Sequence, residues 1–192
     1  EDDVAERPID HVLVYAPGML SARAQRVIEQ LRWIRSATAS GRHSERGDEA
    51  RARLTSTLAA MGTLSELRTA LRTNPSAARI IGVGTRWISY TPFVAPRHLK
   101  KHKHTITDQV RAELNARPEL RDVPATIEVC PRVDVNHAKF QFFARRRRHG
   151  KPRPPTTQPW RIRITFSRPV AGPISLGYGS HFGLGLFRLE EG

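Results

Sequence analysis

The chain has 192 residues, enough for one large domain or two small ones, and its 26% charged and 39% hydrophobic residues exclude a disordered polymer. Lysine and arginine outnumber aspartate and glutamate 32 to 18, a formal charge of +14; a surface this basic repels itself unless a polyanion neutralises it, which points to nucleic acid. A single cysteine, Cys130, excludes an internal disulfide and a cysteine-built zinc site, and no apolar run is long enough to span a bilayer.

The opening "EDDVAERPID", residues 1–10, reads as an acidic linker from a preceding domain, and a start on Glu1 leads us to expect a piece of a longer protein. With no secretory signal read there, the expected compartment is the cytoplasm. "HVLVYA" (residues 11–16) predicts a short strand closed by Pro17 and Gly18. Ser21 caps the next element, where Ala24, Val27, Ile28, Leu31 and Ile34 recur at helical spacing with arginines opposite. "SATASGRHSERGDE" reads as a loop. Two short helices are expected after it, the second starting at Thr63 with Glu66 completing a capping box. "ARIIGVGTRWISYTPFV" (residues 78–94) predicts two strands or one bent strand.

A further helix opens at Thr105 and Asp108, carries Ile106, Val110 and Leu114 on one side, and stops near Pro118. "ATIEVCPRV" and "HAKFQFFARRRR" read as strands, the first with Cys130 as a buried, inert thiol. "RRRRHGKPRPPTTQP" has to be an exposed loop, because prolines remove donors and like charges repel. In "PWRIRITFS" the residues Trp160, Ile162, Ile164 and Phe166 alternate with Arg161, Arg163, Thr165 and Ser167, which predicts a strand with one core face and one basic face. The order of elements predicts an α+β protein with helices on antiparallel sheets, and two ferredoxin-like units, 11–95 and 96–192, fit the length.

Three stretches carry chemistry. Between Pro131 and Arg168 eleven basic residues face one acid, Asp134. That imbalance makes Arg145, Arg146, Arg147 and Arg148, with Arg161 and Arg163, candidate phosphate contacts. "TPFVAPRHLKKHKH" (residues 91–104) adds Arg97, Lys100, Lys101 and Lys103, and places His98 where an imidazole could do acid–base work near neutral pH. A metal site is disfavoured there by the adjacent lysines and the lack of a carboxylate. The segment "GPISLGYGSHFGLGLF" (residues 172–187) sets Gly177, Gly179, Gly183 and Gly185 around His181; glycines allow backbone amides to approach a phosphate, although a bent strand gives the same pattern. It contains no lysine of a nucleotide-binding P-loop, so RNA backbone is the expected ligand.

That glycine-rich segment resembles the corresponding loop of the RAMP-superfamily endoribonucleases that process CRISPR precursor RNA. Together with "WISYTPFVAPRHLKKH" it is similar to the C-terminal half of the fusion subunit of type I-G (I-U) effectors, from "DHVLVYAPG" onward. The resemblance implies tandem ferredoxin-like folds, cleavage of repeat hairpins without metal or cofactor, and retention on the product RNA beside other effector subunits. Relatives often carry a histidine on the first helix, where "SARAQRVIEQLRWIR" has none and offers Arg23 and Arg26 instead. His98, His181 and then His11 are therefore the candidate proton-transfer groups. The alternatives are a non-catalytic RNA-binding subunit of the same fold and a basic structural nucleic-acid-binding protein.

Overall fold

Ser21 accepts a hydrogen bond from the Ala24 amide and so starts α1 (Ala22–Glu29) where the sequence places it. The computed structural model describes residues 12–35, 53–100, 103–130, 155–156 and 158–190, in two compact units, Glu1–Ala59 and Ala60–Gly192. In the first unit, α1 is followed by an antiparallel pair, β1 (Trp33–Arg35) and β2 (Arg53–Thr55). The sequence expected a helix in the region where β2 and the irregular residues 56–60 lie. Residues 12–16 are not the strand their apolar run suggests: Val12 and Val14 are exposed, and no described strand pairs with them. An apolar run becomes a strand only where a partner accepts its backbone bonds.

The second unit begins with α2 (Leu64–Ala70). Its expected capping box is present, with Thr63 and Glu66 each bonding the other's amide. Those bonds hold the Glu66 carboxyl below its ordinary range. Next comes α3 (Pro75–Ile81), where the sequence suggested strand from Ala78. The reason lies just upstream: Asn74 caps the Ala77 amide, and Pro75 fixes the first helical turn. β3 (Val83–Ser89) and β4 (Phe93–Val94) follow, then α4 (Ile106–Asn115), β5 (Ala125–Val129), β6 (Pro159–Trp160), β7 (Ile162–Ala171) and β8 (Phe187–Leu189).

Four of these strands form one sheet in the order β5–β7–β3–β8, every neighbouring pair antiparallel. β3 and β5 therefore run parallel, with β7 between them and α4 connecting them, which is a split β–α–β arrangement. β3, from the first half of the chain, is thus paired along its length with β7 from the second. A separate two-stranded ladder, β4 with β6, sets Phe93 opposite Trp160. The described chain is α+β with antiparallel sheets.

The core fills the space between the sheet and α4. Ile106, Val110 and Leu114, four residues apart on one helix face, are buried against Ile162, Ile164 and Phe166 of β7, Trp87 of β3 and Phe187 of β8. The alternation expected for β7 is observed, with Ile162, Ile164 and Phe166 all buried. Cys130, just past β5, is half-buried, and that burial pushes its thiol pKa up. No described helix is long and apolar enough to cross a membrane. The strand expected around "HAKFQFFA" lies outside the described residues.

Candidate nucleic-acid interface

α4 begins with a capping box between Thr105 and Asp108, which fixes its first turn immediately after the basic stretch. One turn in, Gln109 is the only buried polar residue among the described residues, 3% exposed in a helix face otherwise made of aliphatic side chains. Its Oε1 accepts from the Arg97 amide at 3.0 Å, and its Nε2 donates to the Arg97 carbonyl at 3.2 Å and the His104 carbonyl at 3.0 Å. One amide group thus clasps both ends of the basic loop. Between those ends stand Arg97, His98, Lys100 and Lys103, all exposed. Among the described residues no carboxylate lies within ion-pair distance of them. Four side chains of one charge tendency, unneutralised and tethered at the neck, make a concentrated cationic surface.

The next turn of α4 holds the glycine-rich segment. Glu113 Oε2 accepts from the Gly177 amide at 3.1 Å, and Arg117, a further turn along, pairs with Glu113 at 3.4 Å while donating to the Ser175 carbonyl. The segment is also laced to the strand that leads into the basic loop. Tyr178 donates to the Val94 carbonyl and Gly185 to the Pro92 carbonyl, each at 2.9 Å, and the Thr91 hydroxyl donates to the Gly183 carbonyl at 2.7 Å. The basic loop and the glycine-rich segment therefore share one support, α4 and residues 91–94.

Gly177, Gly179, Gly183 and Gly185 all have positive φ, between 62° and 89°, so only glycine adopts them at no steric cost. Their surroundings differ. A Cβ on Gly185 would lie 1.8 Å from the Leu176 carbonyl oxygen and one on Gly177 2.6 Å from that of Val94, whereas one on Gly183 meets nothing within 4 Å. The amides of Gly177, Gly183 and Gly185 are engaged inside the fold, by Glu113, Ser180 and Pro92 respectively. The segment is thus a self-bonded scaffold, and what it offers outward is its tip, where His181, Phe182 and Gly183 are exposed.

The outer face of β7 is less basic than its sequence. Arg163 donates through Nε and Nη2 to the Glu190 carboxylate at 2.7–2.9 Å and through Nη1 to Glu128 at 2.9 Å, while Arg86 bonds Glu190 from β3 at 3.1 Å. These bonds raise the Arg163 pKa further and hold the Glu190 carboxyl below its ordinary range, the Arg163 hydrogen bonds being the largest cause. Arg163 is therefore committed to a carboxylate ladder across the sheet. Arg161, at the junction of β6 and β7, is half-buried and receives the Cys130 amide on its carbonyl.

Of the residues singled out from sequence, Arg97, His98, Lys100, Lys103, His181 and the four glycines fall on the two loops held by α4. Arg161 and Arg163 lie on the sheet instead. His11, Lys101, Arg145, Arg146, Arg147 and Arg148 are outside the described residues. Comparison with protein-family models, curated proteins and solved structures finds no match. The two loops therefore have to be read from their own chemistry. Among the described residues no group of three or more histidines, cysteines or carboxylates gathers as a metal site.

Sequence reasoning passed over the residues that organise this face. Gln109 and Glu113 on α4 and Arg117 just past its end are spaced every four residues, a polar stripe flanking the aliphatic one, and that periodicity is present in the sequence. Glu190 gave no comparable signal, because its partners on β3 and β7 are distant in the chain.

Proposed function

We propose that the protein binds RNA on the face made by the basic loop and the tip of the glycine-rich segment, and cleaves it without metal through the ribose 2′-OH. The observation that carries the proposal is the shared support: Gln109 and Glu113 of one helix hold a loop bearing His98 and the exposed basic side chains Arg97, Lys100 and Lys103 next to a segment bearing His181. In such a reaction the 2′ oxygen bonds to the adjacent phosphorus, the P–O5′ bond breaks, one imidazole takes the 2′ proton and a protonated one gives a proton to the leaving oxygen. Because the nucleophile belongs to the substrate, alignment supplies much of the rate. A positioned histidine adds ~10²–10⁴-fold, and the exposed cations stabilise the charge on the pentavalent phosphorus.

The strand order β5–β7–β3–β8 is that of a ferredoxin-like unit in which the glycine-rich segment stands where the second helix would be. This supports the CRISPR repeat-RNA reading, with a second such unit in the N-terminal part of the chain and the product kept within an effector complex. A binding subunit without cleavage is the second reading, favoured by Arg23 and Arg26 on α1 in place of a histidine. Labelled repeat hairpins incubated with the protein in EDTA separate the two. A cut leaving a 2′,3′-cyclic phosphate and a 5′-hydroxyl, abolished by one 2′-deoxy substitution at the scissile position, supports cleavage; binding with no cut supports the second reading, and a requirement for Mg²⁺ overturns the mechanism.

A further inference from the structure

α4 has a second flank. Arg111 and Asn115 each stand two residues on from Gln109 and Glu113, about 200° round the helix, so they face away from the basic loop and the glycine-rich segment. There a cleft of about 410 Å³ lies between α4 and β5, within the size range of ligand-binding clefts. Its floor is aliphatic: Leu114 and Val123 are buried, and Ala125 and Ile127 pack half-buried against the core. Its rim is polar and exposed, made by Arg111, Asn115, Arg121 and Asp122. Arg121 is held in place there, donating through Nε to the Asn115 carbonyl at 3.0 Å. Among the described residues no carboxylate lies within ion-pair distance of Arg111 or Arg121, and no cation within that distance of Asp122.

We propose that this cleft docks a short acidic segment of a partner protein, with an apolar side chain on the aliphatic floor and flanking carboxylates on Arg111 and Arg121. Charge and floor together decide for peptide over nucleic acid. Two guanidiniums favour an anion, whereas Asp122 repels the phosphates of an RNA backbone yet accepts a hydrogen bond from a peptide N–H. No residue lining the cleft is aromatic, so it has no ring on which an unpaired base could stack. An apolar anchor ringed by polar groups is also how protein interfaces concentrate their affinity in a few side chains. Because the cleft lies on the far flank of α4, the segment and a nucleic acid can be held at once, and the inference does not depend on the RNA reading.

The test uses the full chain and two labelled short peptides, one alternating glutamate with leucine and one alternating lysine with leucine. Binding is followed by fluorescence anisotropy, with an oligouridylate as competitor. The acidic peptide should bind and the basic one should not, and serine in place of leucine should abolish binding. Arg111→Glu combined with Arg121→Glu should weaken the acidic peptide about 10-fold or more and admit the basic one. Both side chains are exposed, so the fold should hold, which the urea midpoint checks. No binding of the acidic peptide at millimolar concentration, or binding indifferent to the charge reversal, overturns the proposal. Displacement of the peptide by oligouridylate, with weaker RNA binding in the charge-reversed variant, would assign the cleft to nucleic acid and overturn it too. Self-association lost in that variant and indifferent to the peptide would assign the cleft to a second copy of the chain, with the same consequence.

Discussion

Gln109 and Glu113 stand one turn apart on α4, and each fastens a different loop, Gln109 through the Arg97 and His104 backbone and Glu113 through the Gly177 amide. The same helix packs Ile106, Val110 and Leu114 into the core. The placement of both loops is therefore tied to the stability of the whole unit, and a loop change that leaves α4 intact should act locally.

Gln109→Leu tests the clasp. The substitution keeps the volume roughly constant but leaves the Arg97 amide and two carbonyls without their partner. A buried polar group so stranded costs about 1–3 kcal/mol. The expected result is a lower urea midpoint together with faster amide exchange at residues 97–100, 103 and 104. An unchanged exchange pattern there would show that the loop holds its shape without Gln109.

The glycines should separate into two classes. Gly183→Ala is expected to cost about 1–2 kcal/mol, the ordinary penalty of a left-handed alanine, and Gly183→Asn less, because asparagine tolerates that region. Gly185→Ala adds a Cβ 1.8 Å from the Leu176 carbonyl oxygen to the same backbone penalty, and the variant should fail to accumulate as a folded species. Comparable urea midpoints for the two alanine variants would contradict the packing described for Gly185.

Much of this was legible in the sequence, and where it was not, the cause is physical. The Thr105–Asp108 cap and the alternation of Ile162, Ile164 and Phe166 are local patterns, and both elements formed as read. In α3 "ARII" has the composition of a strand, while Asn74 and Pro75 upstream decide for helix. Arg163 counted as part of a basic face because strand alternation shows only its own neighbours; the carboxylates that engage it arrive from β5 and from beyond β8. The glycines of the C-terminal segment were equally consistent with a phosphate cradle or a packed turn. Hydrogen-bond partners from Pro92 and Glu113, far away in the chain, show that the amides of Gly185 and Gly177 face inward.

The carboxylate ladder makes stability depend on acid. The folded state holds the Glu190 pKa below the ordinary 4.5, chiefly through the Arg163 hydrogen bonds. The stabilisation it brings is complete above that ordinary value and is lost as pH falls through the lower folded value. Glu190→Gln should therefore be less stable than wild type at neutral pH, and the difference should shrink as pH drops below 4.5. Urea midpoints for both proteins across acid pH provide the measurement; a difference independent of pH would mean that the charge of Glu190 is immaterial.

Lys100 and Lys103 are exposed and, among the described residues, have no carboxylate partner, so they are free to meet phosphate. Replacing each by alanine should weaken RNA binding similarly for all sequences and lower the slope of log affinity against log salt by about one per lysine. The fold should be untouched. Fluorescence-anisotropy titrations at several salt concentrations measure the slope, and an unaltered value would return the loop to an ordinary solvated surface.

His98 and His181 are both exposed, on loops that share the support of α4 and residues 91–94. If one withdraws the 2′ proton and the other protonates the leaving oxygen, His98→Ala and His181→Ala should each slow single-turnover cleavage ~10²–10⁴-fold. Affinity for a 2′-deoxy substrate should change far less. The pH–rate profile should be bell-shaped in wild type and should lose one limb in each variant, a different limb for each, because removing a base or an acid removes its own ionisation. Double substitution should slow the reaction little beyond the more damaging single change if the two act on the same step. Full single-turnover rates in both single variants would exclude proton transfer by either imidazole and leave alignment and the exposed cations as the sources of any cleavage.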